Sequence, residues 1–474
     1  MRILFIVNDI YTDHIGIMLL SSILKQNGHS VEVVEASYKK IVKKLKNYRY
    51  DILAYSCPTI LSDYYISLNK LIRRNFDIFS VFGGAHPTFV PEMIEEEGID
   101  CICRGEGEFA FLELAEKLKF KKPIRKIKNL WVKDNGNIFK NPLRELVKNL
   151  DDLPFPDRDL FPFSEAIFKR KMHVITSRGC PYSCSYCSQS AYDFLYNSHA
   201  AKVRRRSVGN VIKEIQQITK KVSLRLIMFE DDLFISSIRW INSFCKEYQN
   251  KINIPFFCYT RADTINPDIV SKLRRAGCVS ISMGLESAND YLRENVLRRH
   301  MSRDNIIEAA RIIKKEKIRL ETTNIIGIPG SSLKDDLETL KMNVKCNVDY
   351  SSVKLLMPYP KTKIRKFAAS MGCLIDKYPS SEWKSSIRFH TDRDKRAREN
   401  LRKFFAITVE FPFLLPVVKK IIYFPLGYIY MCVYIVWDGY TAFFRLYPTG
   451  FRGFIWGIRK FIGAFHRRID VLLS

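Results

Sequence analysis

Ser177-Arg-Gly-Cys-Pro-Tyr-Ser-Cys-Ser-Tyr-Cys-Ser188 follows directly on the apolar run His173-Val-Ile-Thr176, and the fold is read outward from this stretch. It sets Cys180, Cys184 and Cys187 on one short loop behind a strand-like segment. Cysteine thiolates are the usual protein ligands of iron–sulfur clusters. Three on one loop serve three irons of a cubane and leave the fourth open to chelate a small molecule. Structural zinc takes four ligands, usually as two short-spaced pairs, and no second pair follows at a suitable distance. The plainer readings are a zinc knuckle or three unrelated thiols.

Downstream of the loop, strand-like and helical runs alternate from 171 to about 365. Strands fit His173–Thr176, Leu224–Phe229, Ile254–Tyr259, Val279–Met283, Arg319–Ile326 and Ser352–Met357, with helices such as Val208–Lys220 and Ile306–Lys314 between them. Six β/α repeats suffice for a partly open barrel, whose chemistry sits at the carboxyl ends of its strands. The cysteine loop follows the first strand, in keeping with that rule. Later strand ends carry Glu230-Asp-Asp-Leu-Phe234, Cys258-Tyr-Thr-Arg261-Ala-Asp263, Gly284-Leu-Glu286-Ser287, Asn324-Ile-Ile-Gly327-Ile-Pro-Gly330 and Pro358-Tyr-Pro-Lys361-Thr362. The three adjacent acids suit a metal, an ammonium group or simply a helix N-terminus. Arg261 offers a planar fork to a carboxylate, be it a ligand's or that of Asp263.

Upstream, residues 1 to about 135 read as a second α/β unit. Strands fit Ile3–Val7, Val31–Ala36, Ile52–Ser56, Phe79–Gly83 and Cys101–Arg104, and a helix over Ile17–Asn27 is closed by Gly28. Such alternation implies a doubly wound parallel sheet, whose ligands bind at the carboxyl ends of the strands. Residues 141–170 read as a linker, because the two X-Pro steps in Leu150-Asp-Asp-Leu-Pro-Phe-Pro-Asp-Arg-Asp159 disfavour helix.

The Cys-x-x-x-Cys-x-x-Cys spacing, with Tyr186 before the last cysteine, resembles the radical S-adenosylmethionine (SAM) superfamily. The resemblance implies a 4Fe-4S cluster on Cys180, Cys184 and Cys187 whose open iron binds SAM and cleaves it to a 5′-deoxyadenosyl radical. It points to Tyr186, Glu230, Arg261, Glu286, Ser287 and Gly327 as SAM contacts, with Glu230 first among the three acids. The segment 1–140 is similar to the cobalamin-binding domain that precedes many of these enzymes, through Asp13-His-Ile-Gly16, Ser56, Gly83-Gly84-Ala-His86-Pro87-Thr88 and Gly105-Glu-Gly-Glu108. The implied cobalamin contacts are Asp13, His14, Gly16, Ser56, Gly83, Gly84, His86 and Glu106. Two departures stand out. Domains that ligate cobalt through histidine carry Asp-x-His-x-x-Gly, whereas His14 has Thr12 two before it and Ile17 three after. A Pro-x-Pro-Gly-Thr segment has Lys361 in place of glycine. The fold expected is α/β: a Rossmann-like cobalamin domain (1–140), a linker, a partial (β/α)6 radical SAM barrel (171–380) and a helical, apolar tail (381–474).

The 474 residues carry a formal net charge of +27 with 47% hydrophobic and 13% aromatic content. A basic surface favours nucleic acid, an anionic membrane or an acidic substrate. Lysines spread along the whole chain and the lack of a recognisable RNA-binding motif argue against nucleic acid. Arg2-Ile-Leu-Phe-Ile-Val7 is too short for a signal-peptide core, so the twelve cysteines are expected to be reduced in a cytoplasm. In the tail, Ile421–Trp437 holds seventeen uncharged residues and Phe443–Phe465 mixes rings with arginines. That pattern suits an interfacial helix on an anionic membrane, with a spanning helix or a buried cap as alternatives. The resulting expectation is an enzyme, a methyltransferase or a cyclase and oxidoreductase. It would modify an unactivated carbon of a small, lipophilic substrate with electrons from a flavodoxin or ferredoxin. The alternatives are a tRNA methylthiotransferase-like enzyme, prompted by Cys57, Cys101 and Cys103, and a non-catalytic iron–sulfur carrier or nucleic-acid-binding protein.

Overall fold

The computed structural model describes residues 1–161, 171–196, 203–379 and 383–441. They fall into two compact units, one within Met1–Lys169 and one within Arg170–Ile458. Both are α/β.

In the first unit, β1 (Arg2–Val7), β2 (Ser30–Glu35), β3 (Ile52–Ser56), β4 (Phe79–Gly83) and β5 (Cys101–Cys103) run parallel in the order β2-β1-β3-β4-β5. Alternate residues of each strand supply two cores, as the period of two requires. Phe5, Val7, Cys101 and Cys103 enter one, while Leu4, Ile6, Cys57 and Phe82 enter the other. Cys57 therefore lies across the sheet from Cys101 and Cys103, which gives the second-cluster reading no common point on which the three thiols converge. The strand order reverses between β1 and β3, and that switch point is where open α/β sheets bind ligands.

Two further strands, β6 (Leu130–Asp134) and β7 (Asn137–Lys140), extend the sheet antiparallel beyond β5. The sequence reading ended its strands at Arg104, although the signal was present. Asn135 and Gly136, with φ of 48° and 77°, form the two-residue loop that an Asn-Gly pair specifies. The segment after β7 packs back on this unit. Leu150 and Leu153 cover Ile23, Phe161 joins the first core, and Arg158 reaches Asp13 across 3.2 Å.

The second unit is a curled half-barrel. Its six parallel strands pair in chain order: β8 (Lys171–Val174), β11 (Leu226–Phe229), β12 (Phe256–Thr260), β13 (Cys278–Glu286), β14 (Arg319–Ile326) and β15 (Tyr350–Leu355). The short β9 (Ser177–Arg178) and β10 (Arg204–Arg205) form a separate antiparallel pair. All six expected strands are present, with ends displaced by up to three residues. Met172, Ile227, Phe229, Phe256 and Ile281 face outward into a helix-covered core. There Phe229, Phe234, Phe244, Tyr248 and Phe256 meet mostly edge to face, a geometry that adds to their area burial.

Beyond β15 the chain forms helices at Asp392–Glu410, Leu415–Ile421 and Gly427–Tyr440. The first packs on β15 and bears Arg398, which is 1% exposed. Arg398 bonds the Asp336 carboxylate at 2.5 Å and both the hydroxyl and the carbonyl of Ser331. Asp336 in turn accepts from the Gly327 amide. Among the described residues no helix is long and apolar enough to cross a membrane. The run expected to start at Ile421 is broken there, and its helix starts only at Gly427, after Pro425. The expected helix over Phe443–Phe465 lies outside the described residues.

Candidate active site

The cysteine loop leaves β8 at the carboxyl end of the sheet and is tied down at its centre. Ser185 donates its amide to Leu297 and its hydroxyl to Val296, and accepts from the Ile364 amide. Cys184 is buried, while Cys180 and Cys187 are half-buried. Burial raises the Cys180 thiol and pushes that of Cys187 up to about 12. A metal that replaces the thiol protons would find positive charge already in place. Arg261 Nη1 lies 3.5 Å and Arg299 Nη1 3.9 Å from Cys184 Sγ. Among the described residues no three His, Cys, Asp or Glu side chains converge on a single-ion site. Ligands of a cubane each serve a different iron, so they need not converge. Three thiols on one anchored loop, with two cations on the most buried sulfur, fit a three-cysteine cluster in donor chemistry.

The expected SAM contacts have different surroundings. Tyr186 accepts a hydrogen bond from Arg299 at 3.2 Å. Glu286 is buried, with Thr323 donating to it and Arg299 at 3.9 Å, and burial raises its carboxyl. Its φ of 64° falls at the register shift between Gly284 and Glu286, where β13 meets β14. Tyr186, Glu286 and Cys184 are thus gathered around Arg299. Arg261 spends two nitrogens on Asp263 at 2.9 and 3.0 Å and lies over the Tyr182 ring, leaving Nη1 for Cys184. Ser287 is buried, its hydroxyl accepting from the Asn289 amide. Gly327, with φ of 70°, packs against Phe389, where a Cβ would stand 2.9 Å from the ring.

The three acids divide their roles. Glu230 pairs with His173 Nδ1 at 2.7 Å. Asp231 is fully buried and accepts from the amide and hydroxyl of Thr176 and from the Ser177 hydroxyl, so it holds the start of the cysteine loop. Asp232 reaches solvent; its carboxyl is pushed up to about 6 by partial burial and by Asp231. Its charge in turn raises the thiols of Cys180 and Cys187.

Arg299 is the residue that the sequence reading missed. It sits in Leu297-Arg-Arg-His300, which matches no motif. Its Nη2 donates to the Gly284 carbonyl at 3.0 Å, and its Nε is buried without a hydrogen-bond partner among the described residues. Gly284 makes room for it. A Cβ there would stand 2.5 Å from Glu286 Oε1 and closer still to Arg299 Nη2. Gly284→Ala is therefore expected to displace Arg299 from Cys184 and Tyr186. Iron incorporation should continue, while SAM affinity falls about tenfold, a loss of roughly 1.4 kcal/mol, as read by equilibrium binding to the reconstituted protein.

In the first unit the expected cobalamin residues gather at the carboxyl ends of the strands. Ser56 closes β3 and Gly83 closes β4. Gly84, with φ of 98°, lies against the Cys57 backbone, where a Cβ would be 3.2 Å from the Cys57 nitrogen. His86 is buried, its amide bonded to the Cys57 carbonyl and its Nδ1 without a partner among the described residues. His14 donates through Nε2 to the Asp9 carbonyl at 2.7 Å and stacks on Phe161. Asp13 is held by Arg158, and Glu106 accepts from the Val147 amide at 2.9 Å. Gly16 lies in the first turn of a helix that starts at Ile15, two residues earlier than expected. A Cβ there would meet nothing within 4 Å. An orphaned imidazole nitrogen and a tight glycine turn at the strand ends fit a large polar ligand.

Burial lowers the His86 pKa below its usual 6.5. The unfolded chain therefore takes up a proton near 6.5 that the folded unit resists. Stability is complete above that pH and declines as pH falls toward the folded-state value, by at most about 1.4 kcal/mol per pH unit. Thermal melts at successive pH values between 7.5 and 5.5 should show the decline, and His86→Gln should lessen it, leaving the part due to His29, whose pKa burial also lowers.

The Radical SAM superfamily family matches residues 174–342, and the B12 binding domain family matches residues 2–115. The chain is 28% identical to an uncharacterized methyltransferase of Pyrococcus horikoshii, over 76% of this chain and 79% of that protein. It is 25% identical to the anaerobic magnesium-protoporphyrin IX monomethyl ester cyclase of Cereibacter sphaeroides, over 69% of this chain and 55% of that one. The cobalamin-dependent SAM radical enzyme OxsB, solved with aqua-cobalamin, shares the fold with a TM-score of 0.71 at 17% identity, covering 99% of this chain and 80% of that one. With both domain families present in one chain, this protein belongs to the radical SAM superfamily, as an enzyme that works with a 4Fe-4S cluster, SAM and cobalamin.

Proposed function

We propose that Cys180, Cys184 and Cys187 hold the cluster and that the chain modifies an unactivated carbon of a small, lipophilic molecule by methylation, cyclisation or carbon–carbon coupling. The placing of all three thiols on one anchored loop beyond the first of six parallel strands, with two arginines on Cys184, carries this reading. When bound, the cluster and SAM supply a 5′-deoxyadenosyl radical, and cobalamin supplies a methyl group or carries electrons. The chain's own residues bind, orient and shield. Arg261 and Arg299 neutralise the sulfur of Cys184, while Tyr186 and Glu286 fix Arg299. Of the three acids, Glu230, partly exposed and paired with His173, faces the SAM ammonium, with the exposed Asp232 close by in sequence. Gly327 and Ser287 shape the turns beside the SAM site. In the first unit the Gly83-Gly84 turn, Ser56 and His86 would receive cobalamin, while His14 is already engaged by the Asp9 carbonyl.

The lipophilic substrate is supported by the apolar C-terminal surface and by relatives such as the protoporphyrin ester cyclase. The reductant is a flavodoxin or ferredoxin of a reducing cytoplasm. The division into 1–140, linker 141–170, barrel 171–380 and tail 381–474 is part of the same reading. Anaerobically reconstituted protein given SAM and a reductant should release 5′-deoxyadenosine, and deuteromethyl SAM should label the cobalamin or a product if methyl transfer is the outcome. Zinc in place of iron, or no 5′-deoxyadenosine, would sink the proposal.

A further inference from the structure

The last described helix, Gly427–Tyr440, leaves too many apolar residues outside for a water-facing cap. A helix on the surface of a globular protein turns apolar residues inward and polar ones outward. In Gly427–Tyr440 the acid points inward: Asp438 accepts from the Tyr350 hydroxyl on β15 at 2.6 Å. Tyr430 is also inward, packed on Phe404 with ring centroids 4.8 Å apart. The residues left outside are apolar. Ile429, Val433, Val436 and Tyr440 follow the spacing of one helical face, with Val436 58% exposed, and Tyr428 beside them is 91% exposed. The preceding turn continues the surface through Phe413, 74% exposed, and Val417. A contiguous exposed apolar surface of this kind marks a contact site rather than a solvated face.

We propose that this face docks on an anionic membrane surface. The charges beside it choose among occupants. Lys419 and Lys420 are exposed on the helix that joins Val417 to the Gly427–Tyr440 segment. The sequence that follows carries Arg445, Arg452, Arg459 and Lys460 among aromatic residues. A two-fold contact centred on this face would bring the Lys419-Lys420 pairs of both copies into one interface, where their like charges oppose association. The chain's own later residues would bring further positive charge. Anionic headgroups complement the lysines while the acyl region accepts the rings and aliphatic side chains. The face lies on the barrel's unit, so a lipophilic substrate could pass to the enzyme without crossing water. That consequence alone rests on the proposed function; the membrane contact does not.

The test is sedimentation of the full chain with vesicles of about 30% phosphatidylglycerol in phosphatidylcholine, and with pure phosphatidylcholine. The expected result is binding to the anionic vesicles, lost about tenfold or more in the Ile429→Glu, Val436→Glu double variant. The Lys419→Glu, Lys420→Glu pair should lose the preference for anionic lipid. Both variants should still cleave SAM to 5′-deoxyadenosine, which separates this proposal from the chemical one. No binding by the full chain, or binding that neither pair of substitutions weakens, would overturn it. So would light scattering that shows a dimer broken by Ile429→Glu, Val436→Glu in a protein that ignores vesicles.

Discussion

Cys184→Ala is expected to purify as a folded chain that holds almost no iron, against about four irons for the reconstituted parent, and to form 5′-deoxyadenosine only at the uncatalysed background. The expectation rests on where this thiol lies. Cys184 is the buried member of the trio and the one with Arg261 and Arg299 on its sulfur. Removing it takes away one iron ligand and leaves two guanidinium groups facing a methyl group. The fold should survive, because the loop is held by the backbone and hydroxyl of Ser185 and by Asp231 rather than by sulfur. Iron and sulfide analysis, the visible spectrum and a far-ultraviolet dichroism spectrum distinguish cofactor loss from unfolding. Cys432→Ala, at an exposed thiol on the C-terminal helix, serves as the control and should keep both cluster and cleavage. Full cluster content in Cys184→Ala would remove the central assignment.

Arg398→Met carries the largest expected cost in stability. Arg398 and Asp336 are both buried and meet at 2.5 Å. Breaking such a pair on one side strands the other charge and typically costs about 3–5 kcal/mol. In a unit of this size that is a melting temperature lower by roughly 10 °C. The pH dependence has a definite sign. Burial already pushes the Asp336 carboxyl up to about 7, above its unfolded value, and losing Arg398 pushes it higher. The folded variant then keeps a proton that the unfolded chain gives up above about pH 4. Its deficit is therefore smallest in acid and grows as pH rises through neutrality. Adding Asp336→Leu should restore most of the stability, since an apolar pair in place of a buried ion pair is often neutral or better. A double variant no better than Arg398→Met would mean that the bonds to Ser331, not the charge pair, hold the helix to the Gly327–Gly330 turn.

The sequence by itself determined the order of elements and the chemistry of the cysteine loop. Both are carried by local pattern: strand runs of three to nine residues in the two parallel sheets, most of them separated by helices, and three thiols within eight positions. The Asn135-Gly136 hairpin is equally local, since the pair alone specifies its turn. The partner of each polar side chain was not legible, because the groups that meet around the site come from different strand ends. Arg299 reaches Cys184 across 115 positions, and Arg261 reaches it across 77. Glu230, Asp231 and Asp232 are chemically near-equivalent neighbours in sequence. They differ only because the curl of the sheet puts one against His173, one into the protein and one toward solvent. The tail makes the same point in reverse. Its apolar character is plain in the sequence, but which residues face outward was decided when Asp438 and Tyr430 found partners on β15 and on the helix beside it. Composition records how much apolar surface a segment has, whereas tertiary contacts decide which part of it stays uncovered.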